Sequence, residues 1–188
     1  MLLKENDAGV PEPTPKRPRD IEPFARAFLE RLANDPQASE FVLGGYFALK
    51  HYLDYRTTAD IDAWWRERLD LDALRAAREA FKATADEFGL GFGERSWGET
   101  VSLEAIGEHD RKTFSFQVSV RSVELGPSMK SPWGNVRIEG LDDNIGAKMN
   151  ALIARGAPET SLVSRPSSMP GCWTRGSVGI YGCARTRE

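Results

Sequence analysis

Asp60 and Asp62 are two carboxylates placed two residues apart, fifteen residues after the glycine pair Gly44–Gly45. Side chains alternate between the two faces of a β-strand, so both aspartates would share one face while Ile61 and Ala63 point into the core. Paired carboxylates are the ligands that Mg²⁺ takes in sites that handle phosphate groups. The spacing therefore predicts that Asp60 and Asp62 hold magnesium.

The glycine pair Gly44–Gly45 follows an apolar strand expected over Glu40–Leu43. Paired glycines at the start of a helix leave backbone N–H groups uncovered, and these groups bind phosphate oxygens where a Cβ would intrude. Taken alone, a glycine pair is usually a turn, and two alternating aspartates are often a solvated strand edge. Their order and spacing together predict a nucleotide site in which Gly44 and Gly45 contact the phosphates.

These residues resemble the nucleotidyltransferase superfamily, whose signature is an apolar strand, Gly-Gly or Gly-Ser, a helix and then Asp-x-Asp. The segment from Phe41 to Asp62 is more specifically similar to the AbiEii/AbiGii toxin family of bacterial nucleotidyltransferases. A second block, Val136–Pro158, supports the match because it carries Lys148 followed seven residues later by Arg155. The resemblance covers about residues 22–158.

The resemblance implies an α/β fold, a mixed sheet with flanking helices of the DNA polymerase β-like nucleotidyltransferase type. It implies an enzyme that uses Mg²⁺ to move a nucleoside monophosphate from a nucleoside triphosphate to a hydroxyl on RNA, such as tRNA, or on protein. It also implies a toxin that is neutralised by a cognate antitoxin. Lys148 would be catalytic by supplying positive charge to the departing pyrophosphate, although a solvated helix lysine explains its position equally well. Arg155 is a weaker candidate, since helix C-termini favour basic residues.

The chain departs from the family pattern where a third acid is expected. Gln117 occupies the centre of the strongest later strand, Glu104 lies on a less regular strand, and Glu159–Thr160 stands where the family has an Arg-Asp pair. Two alternatives therefore stay open. One is a small-molecule nucleotidyltransferase of the aminoglycoside type, and the other is a catalytically inactive, nucleotide-binding relic.

From Glu159 onward helical periodicity disappears, and Ser, Gly, Arg and Pro dominate. A one-base frameshift near the Pro158 codon would permit Pro-Arg-Asp in place of Pro-Glu-Thr, which restores the expected pair. We therefore expect residues 158–188 to be an unstructured, frameshifted tail, and the chain as written to turn over little. The alternative is a genuine disordered tail. Cys172 and Cys183 lie in this segment, and their spacing alone indicates no disulfide.

The rest of the chain divides into a proline-rich, disordered leader over residues 1–19 and a nucleotidyltransferase-like domain over residues 20–157. Periodicity predicts the following elements within that domain: helices at Ile21–Asn34, Leu71–Phe88 and Asp142–Arg155, a helix after Gly45, and strands near Glu40–Leu43, Asp60–Trp65, Leu90–Trp97, Val101–Ile106, Thr113–Val120 and Asn135–Ile138.

Composition sets the remaining expectations. The chain has 188 residues, 40% of them hydrophobic, and a formal net charge of −3, so nucleic-acid binding would have to be local. There is no long apolar run and no signal peptide, which predicts a cytoplasmic protein without a membrane partner. His51 and His109 are expected to be ordinary helix or loop residues. Either Trp64 or Trp65 should fill the core, and the basic residues from Arg66 to Lys82 fit a solvated helix face.

Overall fold

The computed structural model describes residues 13–53, 58–121 and 124–156. By its internal contacts the chain divides into two compact units, Met1–Ala147 and Lys148–Glu188. The description of the second unit is limited to residues 148–156. The sheet and the candidate site below belong to the first unit.

Several predicted features lie outside the described residues. They are most of the leader (residues 1–12), residues 54–57, which precede the predicted strand at Asp60 and in which Arg56 and Thr57 are expected to begin a turn, and the tail at 158–188 with both cysteines and the proposed frameshift. These features stay predictions. Residues 13–19 are described, and they contact the domain: Pro15 is buried, and the backbone N–H of Lys16 donates to the carbonyl of His51 at 2.7 Å.

The described residues form a mixed α/β structure, which confirms the predicted class. The helices are α1 (Pro23–Leu32), α2 (Gly45–Leu49), α3 (Leu71–Glu87) and α4 (Leu141–Gly156). The strands are β1 (Phe41–Gly44), β2 (Asp60–Trp65), β3 (Gly91–Trp97), β4 (Thr100–Ile106), β5 (Lys112–Ser119), β6 (Met129–Lys130) and β7 (Arg137–Ile138). Short 3₁₀ helices lie at Pro36–Glu40 and Glu108–Asp110.

The seven strands of the described residues join one mixed sheet in the order β3-β4-β5-β2-β1-β7-β6. Strand β2 pairs antiparallel with β1 and parallel with β5, and β1 pairs parallel with β7. The sheet therefore brings β1, β2 and β5 side by side at its centre, although they are far apart along the chain.

One face of the sheet is apolar and packs against α1 and α3. The ring of Phe24 on α1 lies 4.9 Å from that of Phe114 on β5, and Phe28 lies 5.0 Å from Phe116. Phe81 on α3 contacts Phe28 at 5.2 Å. Burial of large aromatic side chains is the main stabilising contribution available to such a layer. This layer leaves the opposite, polar face of the sheet to carry the site.

Local capping explains where the helices begin. The Glu22 carboxylate accepts the N–H of Ala25 at 2.8 Å, and Pro23 occupies the first position of α1. Asp70 caps α3 in the same way through the N–H of Ala73 at 2.8 Å. The helix predicted from Ile21 is therefore shorter than expected at both ends. The strand predicted to begin at Glu40 begins at Phe41 instead, because Glu40 is the last residue of a 3₁₀ helix.

Among the described residues, none of the helices combines the length and the apolar character needed to cross a membrane.

Replacing Leu32 by Ala is expected to lower the free energy of unfolding by roughly 2–5 kcal/mol, because it leaves a cavity in a packed core. Leu32 is 1% exposed, whereas Leu71 at the start of α3 is 73% exposed, so Leu71→Ala is the matched control. Urea unfolding followed by circular dichroism measures both. Equal effects of the two substitutions would contradict the arrangement of this core.

Candidate active site

Asp62 lies in a row of aligned residues on the polar face of the sheet. It is the cross-strand partner of Gly44 on β1 and of Gln117 on β5, while Asp60 is the partner of Ser115. Cross-strand partners project to the same face of a sheet. Asp60 is exposed and Asp62 is half-buried, and Ile61 between them is fully buried on the other face, as the alternation predicts.

The glycine pair allows two side chains of β2 to lie against the turn. Gly45 has φ +64°, a left-handed conformation, and a Cβ there would collide with the Asp62 carboxylate. A Cβ on Gly44 would collide with the indole nitrogen of Trp64. The structure thus gives the glycines a packing reason that the sequence did not indicate. It brings Gly44, Gly45 and Asp62 together on the polar face, where β1 ends.

Glu139 was missed by sequence reasoning and lies directly behind this turn, where it is 1% exposed. Its carboxylate accepts hydrogen bonds from the indole N–H of Trp64 at 3.0 Å, from the side-chain amide of Asn144 and from the backbone N–H of Gly45. Burial raises the pKa of Glu139 above its ordinary value. The hydrogen bonds and the charge of Arg121, whose Nη1 lies 3.8 Å away, oppose that rise.

Asn144 and Asp143, in the first turns of α4, complete the surroundings of Glu139. The amide Nδ2 of Asn144 donates to the carbonyl of Gly45 at 2.7 Å as well as to Glu139. Asp143 binds Nη2 of Arg121 at 3.1 Å and accepts the backbone N–H of Leu125 at 2.6 Å. We call the set Glu139, Trp64, Asn144, Arg121 and Asp143 the Glu139 cluster. It joins β2, the glycine turn and α4.

Among the described residues, no further carboxylate is the cross-strand partner of Asp62. Gln117 holds that position, and Glu104 lies in the row of Asp60 but two strands away, roughly 9.5 Å at ordinary strand spacing. Glu104 is paired with Arg95 instead. Among the described residues, no group of three or more His, Cys, Asp or Glu is arranged to hold a metal ion. Two carboxylates on one face remain a fitting donor set for Mg²⁺, which commonly takes one or two together with water and phosphate oxygens.

Lys148, the remaining predicted site residue, lies on α4 in the second of the two units, and its side chain is half-buried. Arg155 lies further along the same helix. The roles expected for them stay predictions.

His51 follows α2 rather than lying within it, and it is a buried packing residue. Its Nδ1–H donates to the carbonyl of Phe47 at 2.9 Å, and its Nε2 accepts the indole N–H of Trp133 at 2.7 Å. Burial lowers the pKa of His51 to about 4. His109 sits in the exposed 3₁₀ turn with φ 58°. Of the adjacent tryptophans, Trp65 is buried in the core, and Trp64 contacts the candidate site.

Comparisons of the chain with protein-family models, with curated proteins and with solved structures give no match.

Glu139→Gln is expected to lower the free energy of unfolding by roughly 1–3 kcal/mol. The carboxylate accepts from three donors, and the amide nitrogen of Gln would set a donor against at least one of them. Glu79→Gln, at an exposed position on α3, is the matched control. Denaturant unfolding at pH 7 measures both, and an unchanged midpoint for Glu139→Gln would contradict the hydrogen bonds assigned to the cluster.

His51 is expected to make the protein less stable as the pH falls from 6.5 to about 4. The unfolded state takes up a proton near the ordinary pKa of 6.5, whereas the folded state resists until about pH 4, a difference worth roughly 3 kcal/mol. The double variant His51→Phe/Trp133→Phe removes the titrating ring together with the donor that faces it.

Unfolding free energies measured at several pH values should show a smaller acid loss in the double variant than in the wild type. His109→Gln, at an exposed position, is the matched control for replacing a histidine. Parallel profiles for the wild type and the double variant would rule out this role of His51.

Proposed function

We propose that the chain is a magnesium-dependent nucleotidyltransferase of the DNA polymerase β-like fold that transfers a nucleoside monophosphate to a hydroxyl on RNA or protein. In this proposal it acts in the cytoplasm as the toxin of a toxin–antitoxin pair. One observation supports the assignment to the nucleotidyltransferases. Asp62 is in register with Gly44, and its carboxylate lies against Gly45, so the paired carboxylates and the glycine turn share one edge of the sheet.

The transfer forms a bond between the acceptor oxygen and the α-phosphorus of the triphosphate and breaks the bond to the bridging oxygen of the departing pyrophosphate. Asp60 and Asp62 would hold Mg²⁺, which neutralises phosphate charge and lowers the pKa of the attacking hydroxyl. Gln117 does not take up a proton at neutral pH, so in this proposal the hydroxyl proton would pass to water. The glycine turn, fixed by Glu139 and Asn144, would orient the phosphates beside Asp62, although the N–H of Gly45 is bound to Glu139 and is not one of the phosphate donors.

A second candidate is the catalytically inactive, nucleotide-binding relic. The neutral amide of Gln117 beside Asp62, where the superfamily has an acid, favours it. The two proposals differ in turnover and agree in nucleotide binding. Transfer of label to any acceptor excludes the relic.

Asp62→Asn is expected to reduce nucleotide transfer at least ~100-fold while leaving the fold intact, because the amide cannot replace a charged metal ligand at a half-buried position. Asp72→Asn is the matched control, since Asp72 is exposed on α3 and paired with Arg75. Incorporation of labelled nucleoside triphosphates into tRNA, protein or an aminoglycoside measures transfer and identifies the acceptor.

The assay is run with the chain as written and with a chain whose reading frame is restored near Pro158. A frameshifted tail would lower the rate of transfer, because it lacks the expected Arg-Asp pair. Labelling of the aminoglycoside alone would replace the proposed acceptor by a small molecule. Nucleotide binding without label on any acceptor, in both chains, would leave the relic as the function.

A further inference from the structure

A second row of aligned residues runs beside the row of Asp62 on the polar face. Trp64 on β2 is the partner of Val42 on β1, Val42 is the partner of Arg137 on β7, and Arg137 is the partner of Lys130 on β6. Trp64 follows Asp62 by two residues, so the two rows are roughly 6.6 Å apart. Whatever occupies the second row therefore lies beside the paired carboxylates.

Two adjoining cavities lie over this second row. One has a volume of about 220 Å³ and the other of about 330 Å³. Both are lined by Val42, Arg66, Glu67 and Glu124, while Trp64 and Arg121 line the first, and Ser128 and Arg137 line the second. We call the two cavities together the Arg66 groove. All of these residues belong to the first unit of the chain.

The groove combines fixed guanidinium groups with an aromatic ring. Arg137 is held by Ser128, to whose hydroxyl its Nε donates at 2.7 Å, and Arg121 is held by Asp143 and Glu139. Fixed guanidinium groups bind phosphate without a large cost in side-chain entropy. Arg66 is half exposed and lies 3.8 Å from Glu40, a distance at which a phosphate competes with the carboxylate.

The carboxylates of Glu67 and Glu124 limit what the groove accepts. They would repel a second or third phosphate, and they accept hydrogen bonds from amino groups and ribose hydroxyls. Trp64 adds an apolar surface whose orientation is fixed by its hydrogen bond to Glu139. A ligand with one phosphate and one planar, hydrogen-bonding ring meets all of these conditions.

We propose that the Arg66 groove is a binding site for a nucleotide unit that carries a single phosphate, with the phosphate at Arg66 and Arg137 and the base or ribose toward Trp64 and the two glutamates. The ligand is either a free mononucleotide or the terminal nucleotide of a strand. In the second case the groove is the acceptor subsite of the proposed transfer reaction, and that part of the inference rests on the proposed function.

Isothermal titration calorimetry of the full chain with each nucleoside 5′-monophosphate tests the site. EDTA is present, so binding is measured without magnesium. We expect at least one monophosphate to bind at least tenfold more tightly than inorganic phosphate or the uncharged nucleoside. Arg66→Gln should weaken that binding about tenfold, and Arg137→Lys should also weaken it, because the planar fork is lost. Arg75→Gln, on α3, should leave it unchanged.

Asp62→Asn should leave monophosphate binding intact, since the groove lies one row away from the carboxylate. No preference for any monophosphate over phosphate, or binding insensitive to Arg66→Gln, overturns the proposal. Binding lost in Asp62→Asn also overturns it, because the ligand would then occupy the carboxylate site.

A short single-stranded RNA and the free monophosphate separate the two sources of the ligand. Tighter, Arg66-dependent binding of the RNA assigns the groove to a strand end, and equal or weaker binding assigns it to a free mononucleotide. If the monophosphate fails to bind while label transfer still depends on Asp62, the groove proposal fails alone. If it binds while transfer is absent, the proposed function fails alone.

Discussion

The buried carboxylate of Glu139 is the constraint on which the candidate site depends. A charge removed from water must be compensated by hydrogen bonds or by an opposite charge, since an isolated buried carboxylate is costly. Here the compensating groups come from the indole of Trp64, the amide of Asn144 and the backbone of Gly45, with Arg121 at a longer distance. Satisfying one charge therefore fixes the end of β2, the glycine turn and the start of α4 at once.

The same carboxylate links the two rows of the polar face. Trp64 covers Gly44 in the row of Asp62, and its ring also lines the Arg66 groove. Because the indole N–H is bound to Glu139, the ring cannot turn toward either row without losing a hydrogen bond to a buried carboxylate. The aspartates and the groove thus share one rigid wall, which suits a reaction in which a donor and an acceptor must be aligned.

Sequence periodicity was sufficient to predict the helices and strands that pack with one face against the core. It predicted β5 and α3, and the alternation around Ile61 placed both aspartates correctly on the polar face. It could not find Glu139, which follows a strand of two residues and whose hydrogen-bond partner Trp64 lies 75 positions away. The predicted strand near Asn135–Ile138 contains β7, but β6 was not predicted, because a strand of two residues shows no period. A buried acid after such a short strand looks like any solvated residue until tertiary contacts are known.

Gln117 is best understood from the charge balance of this face. Asp60, Asp62 and Glu139 place three carboxylates on or beside the central strands, and Arg121 is already shared between Glu139 and Asp143. A further acid at Gln117 would stand in register beside Asp62 and raise the repulsion that a bound cation has to offset. A neutral amide there lowers that repulsion and still offers a hydrogen-bond donor to a phosphate or a hydroxyl. In the proposed transfer, the same amide would leave no proton acceptor at this position next to the attacking hydroxyl. Gln117 therefore lowers the charge repulsion in the unliganded site, and it is also the residue that favours the inactive alternative.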